Sequence, residues 1–123
     1  MVFTDRELDV MAILWAQGSA TAGEVREALR DDLAYNSVLT MLRILEEKGH
    51  ARHEEEGRAY RYYPTTAQKT ASRFALKRLV SRLFSGSPTL LVTELVRDHP
   101  LSVRDLRALR VLLDDRLREA QDQ

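Results

Sequence analysis

Between residues 35 and 63 the apolar side chains switch from a helical to a strand-like period across a single glycine, Gly49, and few small folds accommodate that order. Val38, Met41, Leu42 and Leu45 fall at i, i+3, i+4 and i+7, which predicts a helix from about Tyr35 to Lys48 with one buried stripe. Its opposite face then carries Asn36, Thr40 and Arg43, with Ser37 and Leu39 alongside. After Gly49, His50-Ala51-Arg52-His53-Glu54 and Arg58-Ala59-Tyr60-Arg61-Tyr62-Tyr63 read as two short strands, the second rich in aromatic rings. Glu55-Glu56-Gly57 is the expected hairpin turn, and Pro64 ends the second strand.

Two helices are expected upstream. Thr4-Asp5-Arg6-Glu7 is a capping box, in which hydroxyl and carboxylate satisfy amides of the first turn, and Gly18 is placed to end the helix near Gln17. Leu8, Met11, Ala12 and Trp15 form its apolar stripe. A second box, Thr21-Ala22-Gly23-Glu24, opens a short helix that buries Val25, Ala28 and Leu29 and stops near Arg30. Three helices followed by a hairpin is the order of a winged helix-turn-helix, whose third helix enters the DNA major groove while the hairpin lies against the backbone. The expected fold is therefore mainly α with a small β-hairpin, and residues 1–64 form its DNA-binding unit.

Residues 65–123 read as helical throughout. Gln68 to about Ser85 carries Phe74, Leu79 and Leu83 with an acid-free row of cations, Lys69, Arg73, Lys77, Arg78 and Arg82, which reads as a solvated face. Thr89 to Asp98 carries Leu91 and Leu95, and a last helix capped by Ser102 and Asp105 carries Leu106, Leu109 and Leu113. A segment shorter than about 70 residues, without metal or disulfide, rarely encloses its own core. These apolar positions are the expected interface of a homodimer, and residues 65–123 its helical dimerisation domain. A dimer also suits duplex readout, because two groove-reading helices about 34–36 Å apart address a palindrome.

Charge does not announce the partner. The net charge is zero, with residues 1–63 at −4 (eight Arg/Lys, twelve Asp/Glu) and residues 64–123 at +4 (eleven against seven). The negative first half sustains a second reading, a winged-helix protein-interaction module without specific DNA binding. Zero cysteines exclude thiol catalysis, thiolate metal sites and disulfides. His50 and His53, at i and i+3 on a strand, point to opposite faces and make a poor metal pair. With no Gly-rich phosphate loop and no Ser-His-acid spacing, an enzyme is not expected, nor is a cofactor. No apolar run reaches the roughly 18 residues of a membrane span, and the N-terminus lacks a secretory pattern, so the expected location is the cytoplasm, at the nucleoid.

The chain resembles the BlaI/MecI penicillinase-repressor family of bacterial transcription regulators. The resemblance is carried by Leu8-Asp9-Val10-Met11-Ala12-Ile13-Leu14-Trp15, by Tyr35-Asn36-Ser37-Val38-Leu39-Thr40-Met41-Leu42 with Leu45-Glu46-Glu47-Lys48-Gly49, and by Tyr60-Arg61-Tyr62-Tyr63-Pro64. It implies a homodimeric repressor of double-stranded operator DNA. It also implies a membrane sensor protease as partner, which in the best-known members responds to β-lactams and causes cleavage in the dimerisation domain. The corresponding position here is Glu94-Leu95, where family examples carry Asn-Phe, so this sequence departs from the pattern at the scissile pair. A copper-responsive branch uses a C-terminal cysteine cluster that this chain lacks.

The DNA-contacting set expected from the third helix is Asn36, Ser37, Leu39, Thr40 and Arg43. Arginine can fork onto guanine O6 and N7, asparagine can pair with adenine, and Thr40 or Leu39 can touch a thymine methyl. From the wing, Arg52, Arg58 and Arg61 are expected on phosphates, although Glu54-Glu55-Glu56 puts three acids at or beside its tip. If four cations per protomer engage phosphates, the dimer has a salt slope of roughly −7. Tyr60, Tyr62, Tyr63 and Trp15 are expected to pack the wing onto the helices.

Overall fold

The expected capping boxes form and set the first two helices. In a computed structural model that describes residues 2–30 and 32–123, α1 spans Asp5–Gln17 and α2 spans Ala22–Leu29. The Thr4 amide donates to Glu7 Oε1 at 2.8 Å and the Glu7 amide to Thr4 Oγ1 at 3.1 Å. Thr21 and Glu24 repeat the exchange at 3.0 and 3.2 Å. Gly18, at φ 82, closes α1 by donating to the Leu14 carbonyl, and a positive φ of that size is where a side chain would be strained.

Two buried stripes are rotated from the expected ones. In α1 the buried side chains are Glu7, Val10, Met11 and Leu14, while Ala12 is exposed; in α2 they are Ala22 and Val25, while Ala28 is exposed. Alanine has little apolar area, so the larger Val10, Leu14 and Val25 decide which way each helix turns. The third helix, α3 (Tyr35–Glu47), leaves Met41, one of the four members of the expected stripe, half-buried at its edge and buries Val38, Leu42 and Leu45 as expected. Together with Tyr62, these side chains make the fully buried centre of the core.

The sheet has one strand more than the sequence suggested. β2 (Ala51–Glu56) and β3 (Ala59–Pro64) form the hairpin, and β1 (Ala20–Thr21) pairs antiparallel on the other edge of β3, giving the order β1-β3-β2. Two residues carry no periodicity, so β1 could not be read. It arises because Thr21, the N-cap of α2, must itself be extended. The turn is also displaced. Glu55 and Glu56 belong to β2, paired with Tyr60 and Ala59, and the connection is Gly57-Arg58 alone. Gly57, at φ 62, takes the first central position that a type II′ hairpin turn reserves for glycine.

A polar junction fixes the base of the wing. Glu7, 4% exposed, accepts from Lys48 Nζ at 2.8 and 2.9 Å, which joins the start of α1 to the end of α3. His50 precedes β2 rather than lying in it. Its ring is buried, tilted against Phe3 at 4.4 Å, with Nδ1 2.8 Å from Thr66 Oγ1. The Thr66 carbonyl accepts from Trp15 Nε1 at 2.8 Å. Burial pushes the Glu7 carboxyl up, but Lys48 and the Thr4 amide together outweigh it and hold it below its usual value. Burial, aided by nearby positive charge that includes Lys48, outweighs the Glu7 carboxylate at His50 and lowers the imidazole from its ordinary 6.5.

A pH dependence follows. The unfolded chain takes up the His50 proton first, so this contribution to stability is complete above 6.5 and is lost as pH falls toward the lower folded value. Glu7 acts in the same sense at a more acidic range, below its ordinary 4.5. Thermal melts between pH 7.5 and 5 should show the wild-type midpoint falling with acidity and His50→Gln giving a flatter profile. Parallel profiles would remove His50 from this account.

Beyond the sheet come α4 (Gln68–Leu83), α5 (Pro88–Asp98) and α6 (Val103–Gln121). The chain divides into two compact units, Met1–Arg78 and Leu79–Gln123, with the division inside α4. Ser102 and Asp105 cap α6 as expected. Ala71 is the buried residue of α4, and α5 and α6 bury none of their side chains. Phe74, Leu79, Leu83, Leu95, Leu106, Leu109 and Leu113 are all exposed, and Leu91 is half-buried. Among the described residues no helix is long and apolar enough to cross a membrane.

Candidate nucleic-acid interface

Burial of Val38, Leu42 and Leu45 turns the other side of α3 to solvent, and Asn36, Ser37, Thr40 and Arg43 all lie exposed there. Thr40 Oγ1 donates to the Asn36 carbonyl at 2.9 Å, an i to i−4 bond that uses backbone, and among the described residues the Asn36 amide side chain has no partner. Leu39 differs from the other four. It is half-buried and packs on the core cluster.

The start of α3 is left open. Its N-cap, Ala34, offers no side-chain acceptor, and no acid lies in the first turn. By contrast α1, α2 and α6 each carry a hydroxyl cap and an acidic residue there. First-turn amides and the positive end of the helix dipole are therefore available to an external anion. Two exposed residues of this surface escaped the sequence reading: Tyr35, at 43%, is the first residue of α3, and Ile44, at 39%, continues the i+4 row from Asn36 and Thr40. That row was the available signal for Ile44.

The wing neutralises itself. Arg52 Nη1 donates to Glu54 Oε1 at 2.8 Å, and its guanidinium lies 4.3 Å over the Tyr63 ring. Arg61 reaches Glu56 through Nε and Glu24 through Nη2, both at 2.9 Å. Hydrogen bonds to Glu56, with Glu24 adding charge, hold the Arg61 guanidinium more firmly protonated than usual. Two of the three wing acids thus face internal partners. Arg58 sits exposed in the turn, and among the described residues neither it, nor Arg43, nor the third wing acid, Glu55, has an ion-pair partner.

The aromatic rings divide their work. Tyr62 is buried in the core, Tyr60 is 41% exposed and stacks on His53 at 4.3 Å, and Tyr63 lies under Arg52. His53 Nδ1 lies 2.6 Å from Glu46 Oε1, tying β2 to α3. Among the described residues no group of three or more His, Cys, Asp or Glu could hold a metal ion.

Three helices, a hairpin wing and an open-ended third helix define a winged helix-turn-helix of the kind found in bacterial regulators. The penicillinase repressor family model matches residues 3–115, and the chain belongs to that family. It is 25% identical over 114 residues to the penicillinase repressor of Bacillus licheniformis, covering 91% of this chain and 89% of that one. It is 23% identical over 110 residues to the methicillin resistance regulatory protein MecI of Staphylococcus aureus strain N315, covering 88% and 89%. Among solved structures, the DNA-binding domain of the repressor BlaI is similar with a TM-score of 0.51 and 31% identity, over 55% of this chain and 85% of that domain. A mutant MarR from E. coli in complex with operator DNA shares the fold, with a TM-score of 0.50 and 18% identity over 94% and 76%.

Proposed function

We propose that this protein is a dimeric, sequence-specific DNA-binding repressor that places α3 in the major groove of a palindromic operator. The α3 surface carries the reading: a stripe of short polar side chains with one unpaired arginine, entered through an uncapped helix start, on a fold shared with repressors. Asn36, Ser37, Thr40 and Arg43 are its groove residues, with Leu39 offering what its packing leaves exposed. The protein acts in the cytoplasm, at the nucleoid.

Exposed surface supports the dimer. Large apolar side chains of α4 to α6 stand exposed, among them Leu83, Leu106, Leu109, Leu113 and Leu117, and an open apolar groove beside α5 is lined by Pro88, Val92, Val96 and Leu113 among others. In this reading a membrane sensor protease acts near Glu94-Leu95. That pair lies within α5, so the helix must unwind before its backbone can enter a protease cleft.

A mobility-shift titration on the promoter fragment beside the protein's own gene, with competitor DNA, tests the proposal. Specific retardation is the expected result, whereas none at low salt favours the protein-interaction module. With Arg52 and Arg61 engaged internally, Arg43 and Arg58 are the cations of the site without an ion-pair partner among the described residues. Counting both toward neutralising DNA charge, a dimer offsets about four phosphates and log affinity falls against log salt with a slope of about −4. A slope near −7 would mean that the wing pairs open on DNA.

A further inference from the structure

Arg61 lies on the central strand of the sheet, opposite Thr21 of β1 and Glu54 of β2. Its guanidinium makes three contacts on three different segments: Glu56 at 2.9 Å on the outer wing strand, Glu24 at 2.9 Å in the first turn of α2, and Ser19 Oγ at 3.3 Å before β1. Glu24 is itself fixed, because it closes the Thr21 capping box. The chain thus runs from the cap of α2, through Arg61, to the end of the wing. We propose that Arg61 is a positioning residue, which sets the angle of the wing against α2 and so aims the free Arg58 at the turn, rather than a contact to DNA phosphate.

Two physical reasons favour positioning. To reach a phosphate, Arg61 would give up a charge-assisted hydrogen bond to Glu56 and an ion pair with Glu24, leaving two carboxylates without their cation beside a polyanion. The guanidinium fork can also hold two carboxylates at once, which an ammonium point charge on a flexible stem does not reproduce. Arg58 has the opposite character: exposed, at the hairpin tip and unpaired.

This inference rests on the DNA-binding reading above. The test uses the full chain and a labelled duplex of its own promoter fragment, titrated over a range of salt concentrations. Arg61→Gln is expected to weaken binding about tenfold while leaving the salt slope unchanged, whereas Arg58→Gln lowers the slope by about 2 for the dimer. Arg61→Lys, which keeps the charge and loses the fork, stays weak. Glu56→Gln added to Arg61→Gln costs nothing further, since the pair is already broken. Melting midpoints near wild type in every variant separate positioning from mere support of the fold, and an affinity loss that tracks lost stability overturns the proposal. So does a slope that falls by about 2 in Arg61→Gln with affinity restored by lysine, the behaviour of a phosphate contact. Wild-type affinity in Arg61→Gln overturns it as well. If the wild type binds no duplex specifically, the DNA-binding reading falls and this one with it; if it binds and Arg61→Gln loses slope, this inference alone falls.

Discussion

If the chain dimerises as proposed, Leu109→Asp is expected to yield single chains in sedimentation and to lose about two to four orders of magnitude in operator affinity. Leu109 stands 38% exposed on α6, a helix with no buried side chain of its own, on an apolar face shared with Leu106 and Leu113. A carboxylate there meets apolar surface when two chains associate, and an unpaired buried charge costs several kcal/mol. Affinity follows because a dimer binds its second half-site at millimolar effective concentration, and a monomer forfeits that gain of about 10²–10⁴. Leu109 takes no part in the core cluster built from α1 to β3, so residues 1–78 should keep their melting behaviour. A variant that still sediments as a dimer would place the interface elsewhere.

Arg43→Ala and Asn36→Ala are expected to give the second large effect, with the proposed dimer left intact. Both side chains are exposed on α3 and neither holds the fold: Arg43 has no ion-pair partner among the described residues, and the bond received by Asn36 ends on its backbone carbonyl. Each good bidentate base contact discriminates by about 1–3 kcal/mol, and a palindrome repeats it in both half-sites. The expected signature is a large loss on operator with a small loss on random duplex. Thermal midpoint and sedimentation should stay at wild-type values. If operator affinity were unchanged in both variants, α3 would lose its assignment as the reading helix.

The spacing of large apolar residues was enough to read α3 and to show which side of it meets solvent, because Val38, Leu42 and Leu45 leave one packing solution. Capping chemistry was equally legible, since Thr4 with Glu7 and Thr21 with Glu24 state their purpose at fixed separation. What escaped was whatever depends on residues distant in sequence. Strand β1 exists because β3 offers an edge to an extended N-cap, and nothing in Ala20-Thr21 signals that. Arg61 looks like Arg58 in a sequence, yet one of its carboxylate partners, Glu24, lies 37 positions away; the Arg52–Glu54 pair is local, two residues apart on β2, where alternation puts both side chains on one face. His50 belongs to the same class. Its spacing from His53 invited a metal question, whereas its surroundings make it a buried hydrogen-bonding wedge beneath Thr66. Charge counting likewise put three acids at the wing, without revealing that two of them are already answered.

The uncapped beginning of α3 also bears on how the helix ends its search. Among the described residues the amides of Tyr35 and Asn36 find no acceptor, so they should exchange hydrogen for deuterium faster than any others in that helix. On the DNA-binding reading, an arriving phosphate oxygen would supply the missing acceptor, and slower exchange at these two amides in the complex would mark the leading turn being ordered on arrival. The new bond must then outweigh the entropy lost in that ordering, so the free end of the helix tempers how long the protein stays at any one place.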